Sequence, residues 1–245
     1  LTADDIAALR ADGFETVVAV QLSENDLPEN EAAARLAAAL AGDNVILSNA
    51  ATGRCNLTAA ERGIALFDPA RIDRVNLIDE AVTVSTVPPF EQVEQGDIVA
   101  TVKIITFAVD AATVTRCEEA ASGAVSLAPY RPTTVGLVQT RLPVLRDSLL
   151  DKAAEVTRSR LGAMGCTLDH DIRCGHDADE IAAAFKTLSG AGCDIALALG
   201  ASAIADRRDV IPAAVEQCGG TVEHFGMPVD PGNLMLLGRI GAMRV

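Results

Sequence analysis

The residues best suited to chemistry lie in a run of mostly small side chains, Gly200-Ala201-Ser202-Ala203-Ile204-Ala205-Asp206-Arg207-Arg208-Asp209, between an apolar stretch at 195–199 and a helical pattern at 210–218. Small residues let a ligand approach backbone N–H groups, Ser202 adds a hydroxyl, and the N-terminus of a following helix favours an anion. On local sequence alone the simpler reading is a strand-to-helix turn with Asp209 as N-cap, and Pro212 fits either. Three other segments carry polar groups in turn-like contexts. Cys174-Gly175-His176-Asp177-Ala178-Asp179-Glu180 has Asp177 and Glu180 at capping-box spacing. The segment 141–147 leads into Asp147, Ser148, Asp151 and Lys152, which are candidates for a polar rim or exposed first-turn helix residues. Asp230-Pro231-Gly232-Asn233 has the composition of a β-turn between two strands.

Other chemistries are absent from the sequence. The three histidines, 170, 176 and 224, show no His-x-x-x-His or Cys/His spacing, which argues against zinc, and no metal ligand is expected. The cysteines at 55, 117, 166, 174, 193 and 218 form no Cys-x-x-Cys pair and several sit in apolar patterns, which predicts reduced thiols and a cytoplasmic protein. Walker, Gly-x-Gly-x-x-Gly and Gly-x-Ser-x-Gly motifs do not occur. With a formal net charge of -14, a broad nucleic-acid or acidic-membrane surface is not expected, although a small anion can still enter a local pocket. No apolar run approaches the roughly 20 residues that span a bilayer.

Two domains are the natural division of 245 residues, at about 100 to 150 residues each. Pro129-Tyr130-Arg131-Pro132 interrupts helix and favours an extended connection, so we divide the chain into 1–130 and 131–245. Capping boxes at Thr2 and Thr58 predict helices near 3–13 and 59–66, an Ala/Leu-rich helix should end near Ala41, and strands are expected at 16–22, from Val45, at 81–87 and at 98–109. This half reads as a smaller α+β region. Beyond Pro132, strands at 134–140, 167–173, 195–199, 221–225 and 234–238 interleave with helices at 148–164, 180–188 and 210–218. Such alternation predicts an α/β domain with a mostly parallel sheet covered on both faces, binding ligands beyond the carboxyl ends of its strands. The opening on Leu1 and the closing strand-like segment suggest a chain trimmed at both ends, truncating the second domain at its C-terminus.

The segment 200–212 resembles the Gly-Gly-Thr-Gly…Arg-Asp-x-x-Pro loop of the molybdopterin-binding domain superfamily, with Arg208, Asp209 and Pro212 on the pattern. Ala201 and Ala203 stand where that family has glycine, and Ser202 stands for threonine. Residues 226–238 are similar to the Met-x-Pro-Gly stretch of the molybdenum-insertion enzymes of the same fold, through Pro231, Gly232 and Gly238. Those enzymes flank the Pro-Gly with lysines, whereas this chain has Asp230 and Asn233, and an aspartate for a lysine reverses the local charge. His176 or Asp177 falls on the family's acidic position, and Asp147 and Ser148 lie near its Asp-Ser-Asn or Asp-Lys element. Residues 1–20 resemble the Leu-Thr-x-x-Asp-Ile segment of molybdenum-insertion enzymes. Residues 96–105, which include Lys103, look like a subgroup in which such a region precedes a molybdenum cofactor cytidylyltransferase domain.

The resemblance implies a three-layer α/β/α molybdopterin-binding domain in molybdenum cofactor biosynthesis. Its ligand would be molybdopterin or a nucleotide-linked molybdenum cofactor intermediate, contacted by Gly200, Ala201, Ser202, Ala203, Arg208, Asp147, Ser148, His176, Asp177, Asp230, Pro231, Gly232 and Asn233. The lost lysines favour a carrier or positioning module serving a fused or separate nucleotidyltransferase domain. The alternative is an Mg2+-dependent transferase that adenylylates molybdopterin or inserts molybdate, with Asp209 as the functional carboxylate. A homo-oligomer is a further implication of the family.

Overall fold

The computed structural model describes residues 1–144 and 146–245; Leu145, within the loop 141–147 singled out above, lies outside the described residues. The chain is mixed α/β and divides into two compact units, Leu1–Pro129 and Tyr130–Val245, each with its own buried cluster.

Unit 1 opens with α1 (Ala3–Ala11), whose N-cap Thr2 hydroxyl accepts the Asp5 N–H while the Asp5 carboxylate accepts the Thr2 N–H. Then follow β1 (Asp26–Pro28), α2 (Glu29–Leu40), β2 (Val45–Leu47), β3 (Arg54–Ala59), β4 (Gly63–Phe67), α3 (Pro69–Asn76) and β5 (Val82–Thr86). The unit closes with β6 (Gln92–Val93), β7 (Ile98–Ile104), β8 (Ala108–Asp110), α4 (Ala111–Ala121) and β9 (Val125–Pro129). An antiparallel sheet of order β2-β3-β7-β5, a second of order β6-β4-β9, and the pair β1-β8 supply the pairings. The buried Leu36 and Leu40 of α2 join Leu57, Val84 and Val102 of the first sheet in one core, and Arg35 clamps Glu118 of α4 through two bonds of 2.9 and 2.7 Å.

Three expectations for this half are corrected. Residues 59–66 form no helix but the end of β3, a turn, and β4. The Thr58 hydroxyl donates to the Ile46 carbonyl across the sheet, and Gly63 lets β4 lie against Ala128 and Pro129 of β9 at a spacing that leaves no room for a Cβ. Residues 16–22 are not a strand; Val17, Val18, Val20 and Leu22 are exposed, and β-branched residues make a strand only where a neighbour takes up the backbone groups. Residues 98–109 are two strands, β7 and β8, separated at 105–107.

Unit 2 contains β10 (Thr134–Arg141), α5 (Asp147–Ala163), β11 (Thr167–Gly175), α6 (Ala178–Gly190), β12 (Ile195–Leu199), α7 (Val210–Gln217), β13 (Thr221–Phe225), β14 (Leu236–Ile240) and β15 (Met243–Arg244). They form a six-stranded sheet of order β11-β10-β12-β15-β14-β13, mostly parallel, in which only β14 runs against the rest. Alternation along β10 and β12 sorts the side chains. Val138 and Ala196 pack with Ile181, Phe185 and Ala214 of α6 and α7. Val135, Leu137 and Leu197 point to the other side, towards Leu161 of α5. Gly136 faces Leu188 of α6 so closely that a Cβ would collide with that side chain. No helix among the described residues is long and apolar enough to cross a membrane.

Candidate functional site

From β10 the chain crosses through α5 to β11 on one side, then through α6 to β12 on the other. Connections leaving a central strand in opposite directions open a crevice beyond the carboxyl ends of the strands on either side of the reversal. Here the crevice is bounded by the loop after β10 and the loop 200–209 after β12.

Thr140, at the end of β10 and 1% exposed, organises this edge. Its Oγ1 accepts the Ala201 N–H at 2.7 Å and lies 2.8 Å from Nδ1 of His176. With one lone pair taken by Ala201, the hydroxyl hydrogen is free to go to Nδ1, the arrangement in which His176 carries its proton on Nε2. The loop is therefore pinned at Ala201, and the following N–H groups of Ser202 and Ala203 have no acceptor among the described residues. Gly200 is required sterically, because a Cβ there would stand 2.7 Å from the Ser202 carbonyl oxygen and 3.0 Å from Ile211. Alanine is accommodated at 201 and 203.

Asp209, Asp177, Glu180 and Asp206 are engaged with backbone. Asp209 is the N-cap of α7, accepting the Val210 N–H at 2.7 Å through one oxygen and the Ala205 N–H at 3.0 Å through the other, which clasps the loop shut. Asp177 caps α6 by accepting from Asp179 at 2.9 Å and Glu180 at 3.2 Å. The Glu180 carboxylate turns to the Gly175 N–H at 2.6 Å, so the pair clasps β11 to α6 rather than closing a reciprocal box. Among the described residues Arg208 is bound to Asp206 alone, through its N–H at 2.6 Å and its guanidinium at 3.3 Å, and its side chain is 91% exposed. The Arg208 N–H, ahead of the guanidinium, holds the Asp206 carboxyl below its usual range.

Asp147 and Ser148 are exposed in the first turn of α5, whose N-cap Arg146 supplies no side-chain bond. Asp230, Pro231, Gly232 and Asn233 occupy the exposed β13–β14 loop, closed by Gly226 N–H to the Met235 carbonyl at 2.8 Å and Met227 N–H to the Asn233 carbonyl at 3.0 Å. Because β13 runs parallel to β10 and β12, this loop emerges at the same sheet edge as 200–209. Leu199 and Ile204 from one loop region and Leu234 and Met235 from the other line a common cavity of about 650 Å3. Its floor is Val135, Leu137 and Leu197, and Arg160 and Arg244 are its charged lining residues.

Sequence reasoning missed a polar cluster on the α5 side of β10. Gln139, fully buried, donates through Nε2 to Asp171 at 2.8 Å, and Arg173 bridges Asp171 at 3.4 Å and Asp151 at 2.7 Å. The bond from Asp151 is the main cause of the raised basicity of Arg173. Gln139 Oε1 has no partner among the described residues, and Gln139 pairs in register with Leu199 at the cavity. A Gln-Thr pair ending an apolar strand was the available signal. Among the described residues, Asp147, Ser148 and Arg208 make no hydrogen bond or ion pair with Thr140, His176 or one another, so the tightly assembled part of the edge is Thr140, His176, Gly200 and Ala201. No group of three or more potential metal ligands occurs among the described residues.

No family model matches the chain, and no curated protein matches it.

Proposed function

We propose that unit 2 is a three-layer α/β/α molybdopterin-binding domain, taking molybdopterin or a nucleotide-linked molybdenum cofactor intermediate as a carrier or positioning module in cofactor biosynthesis. The reading rests on the loop resemblance together with one structural observation: Thr140 pins Ala201, leaving the Ser202 and Ala203 N–H groups open at the sheet's reversal point. Open backbone donors on small residues suit the terminal phosphate of such a ligand. The neighbouring apolar cavity suits its flat ring system.

The carrier reading is favoured over the Mg2+-dependent transferase because Asp209 and Asp177 already hold backbone N–H groups. A carboxylate committed to a cap loses that bond when it turns to a metal ion. A nucleotidyltransferase, fused or separate, would perform the chemistry on the presented ligand.

Calorimetric titration with molybdopterin tests the reading. Saturable binding is expected, weakened at least about tenfold in Thr140→Val, which frees Ala201 from its anchor; tenfold corresponds to about 1.4 kcal/mol. Absence of saturable heat, or unchanged affinity in a Thr140→Val protein of intact fold, removes it. Conversion of molybdopterin and Mg-ATP to an adenylylated product by the purified chain would favour the transferase.

A further inference from the structure

The four-stranded sheet of unit 1 has a face that its core leaves open. Cys55, Leu57, Val82, Val84, Val102 and Ile104 are buried in the core with α2. The alternate residues of β3, β7 and β5 point away from it in two polar rows. Arg54, Lys103 and Thr83 make one row, and Asn56, Thr101 and Ser85 the next.

Arg54 and Lys103 are direct cross-strand partners and both are exposed. Like charges placed opposite each other repel across about 5 Å between Cβ atoms. Neither makes an ion pair among the described residues, although the formal net charge is -14 and Arg35, Arg62, Arg71, Arg173, Arg208 and Arg239 all have carboxylate partners. The nearby Glu29 carboxylate lies against Gly53 and does not pair with either cation.

Asn56 completes the arrangement. Its Oδ1 accepts from Arg54 Nε at 2.9 Å and from Thr101 Oγ1 at 3.0 Å. Two donors on one oxygen fix the carboxamide, so its Nδ2 hydrogens remain to be given elsewhere. The terminal nitrogens of Arg54, Nζ of Lys103 and Nδ2 of Asn56 have no acceptor among the described residues. A set built of donors and positive charge matches a ligand built of acceptors and negative charge, and a guanidinium beside an ammonium suits phosphate oxygens.

We propose that this face, through Arg54, Lys103 and Asn56, binds a phosphate-bearing small molecule. A two-cation patch on so acidic a chain is too narrow for a nucleic-acid backbone, which needs several neutralising contacts along its length. The site lies within unit 1 and does not depend on the pterin reading of unit 2.

The whole chain titrated with pyrophosphate and followed by amide NMR tests the proposal. Saturable shifts are expected at the amides of Arg54, Asn56, Thr101 and Lys103, with affinity reduced at least about tenfold in Arg54→Gln and Lys103→Gln. Shifts confined to other residues, absence of saturation, or unchanged affinity in a folded Lys103→Gln protein overturn it. The wild-type shift map alone locates the ligand, so the test stands even where a variant unfolds.

Discussion

At the scale of single residues, the loop resemblance implies a functional carboxylate at Asp209, yet in the fold both of its oxygens hold backbone N–H groups. Thr140 ends an apolar strand without any motif, and its hydroxyl ties β10 to two neighbouring loops. The cysteines show the same dependence on surroundings. All six are free; Cys55, Cys117 and Cys193 are buried, whereas Cys166, Cys174 and Cys218 are half-buried. Burial pushes the Cys117 and Cys193 thiols up, because a thiolate loses its hydration there. Labelling by a thiol-specific disulfide reagent should leave both unmodified in the folded protein through the pH range of about 8 to 9 where free cysteine ionises, and modify them on adding denaturant. Equal rates for Cys117 in native and denatured protein would contradict the packing described.

At the scale of elements, periodicity was legible where each segment's own pattern agreed with its packing. The strand at 195–199 and the helices of unit 2 fall where apolar spacing and caps put them, because there local and tertiary preferences coincide. The turn at 60–62 shows the opposite case: Thr58 and Glu61 have capping-box spacing, but pairing of β3 with β2 and of β4 with β9 outweighs it. Packing between β10 and α6 gives a direct test. Gly136→Ala places a methyl group into Leu188, forcing β10 and α6 apart or displacing the side chain. A loss of about 1 to 3 kcal/mol in unfolding free energy is expected from denaturant titration. A neutral result would mean that this contact is looser than the structure describes.

At the scale of the whole molecule, the excess of 34 acidic over 20 basic side chains produces self-repulsion in the folded chain. Raising ionic strength from about 0.01 to 0.1 M shortens the Debye length from about 30 to about 10 Å, which screens distant repulsion more than the short ion pairs. Thermal unfolding should therefore shift to higher temperature over that range, as read by circular dichroism. A fall would show that attractive pairs such as Arg35–Glu118 and Arg173–Asp151 dominate.

The sequence by itself determined the α/β class, the alternation of strands and helices after residue 133, and the loops in which anion chemistry was to be sought, since all three follow from local periodicity and turn composition. It also marked Lys103 as a cation in a β-branched run. Only the tertiary structure decided that Lys103 stands opposite Arg54, that Gln139 and Thr140 serve opposite sides of one strand, and that 16–22 joins no sheet among the described residues. Strand register brings together residues far apart in the chain, and a shift of one position would turn every side chain to the other face, so such pairings cannot be read from any one segment.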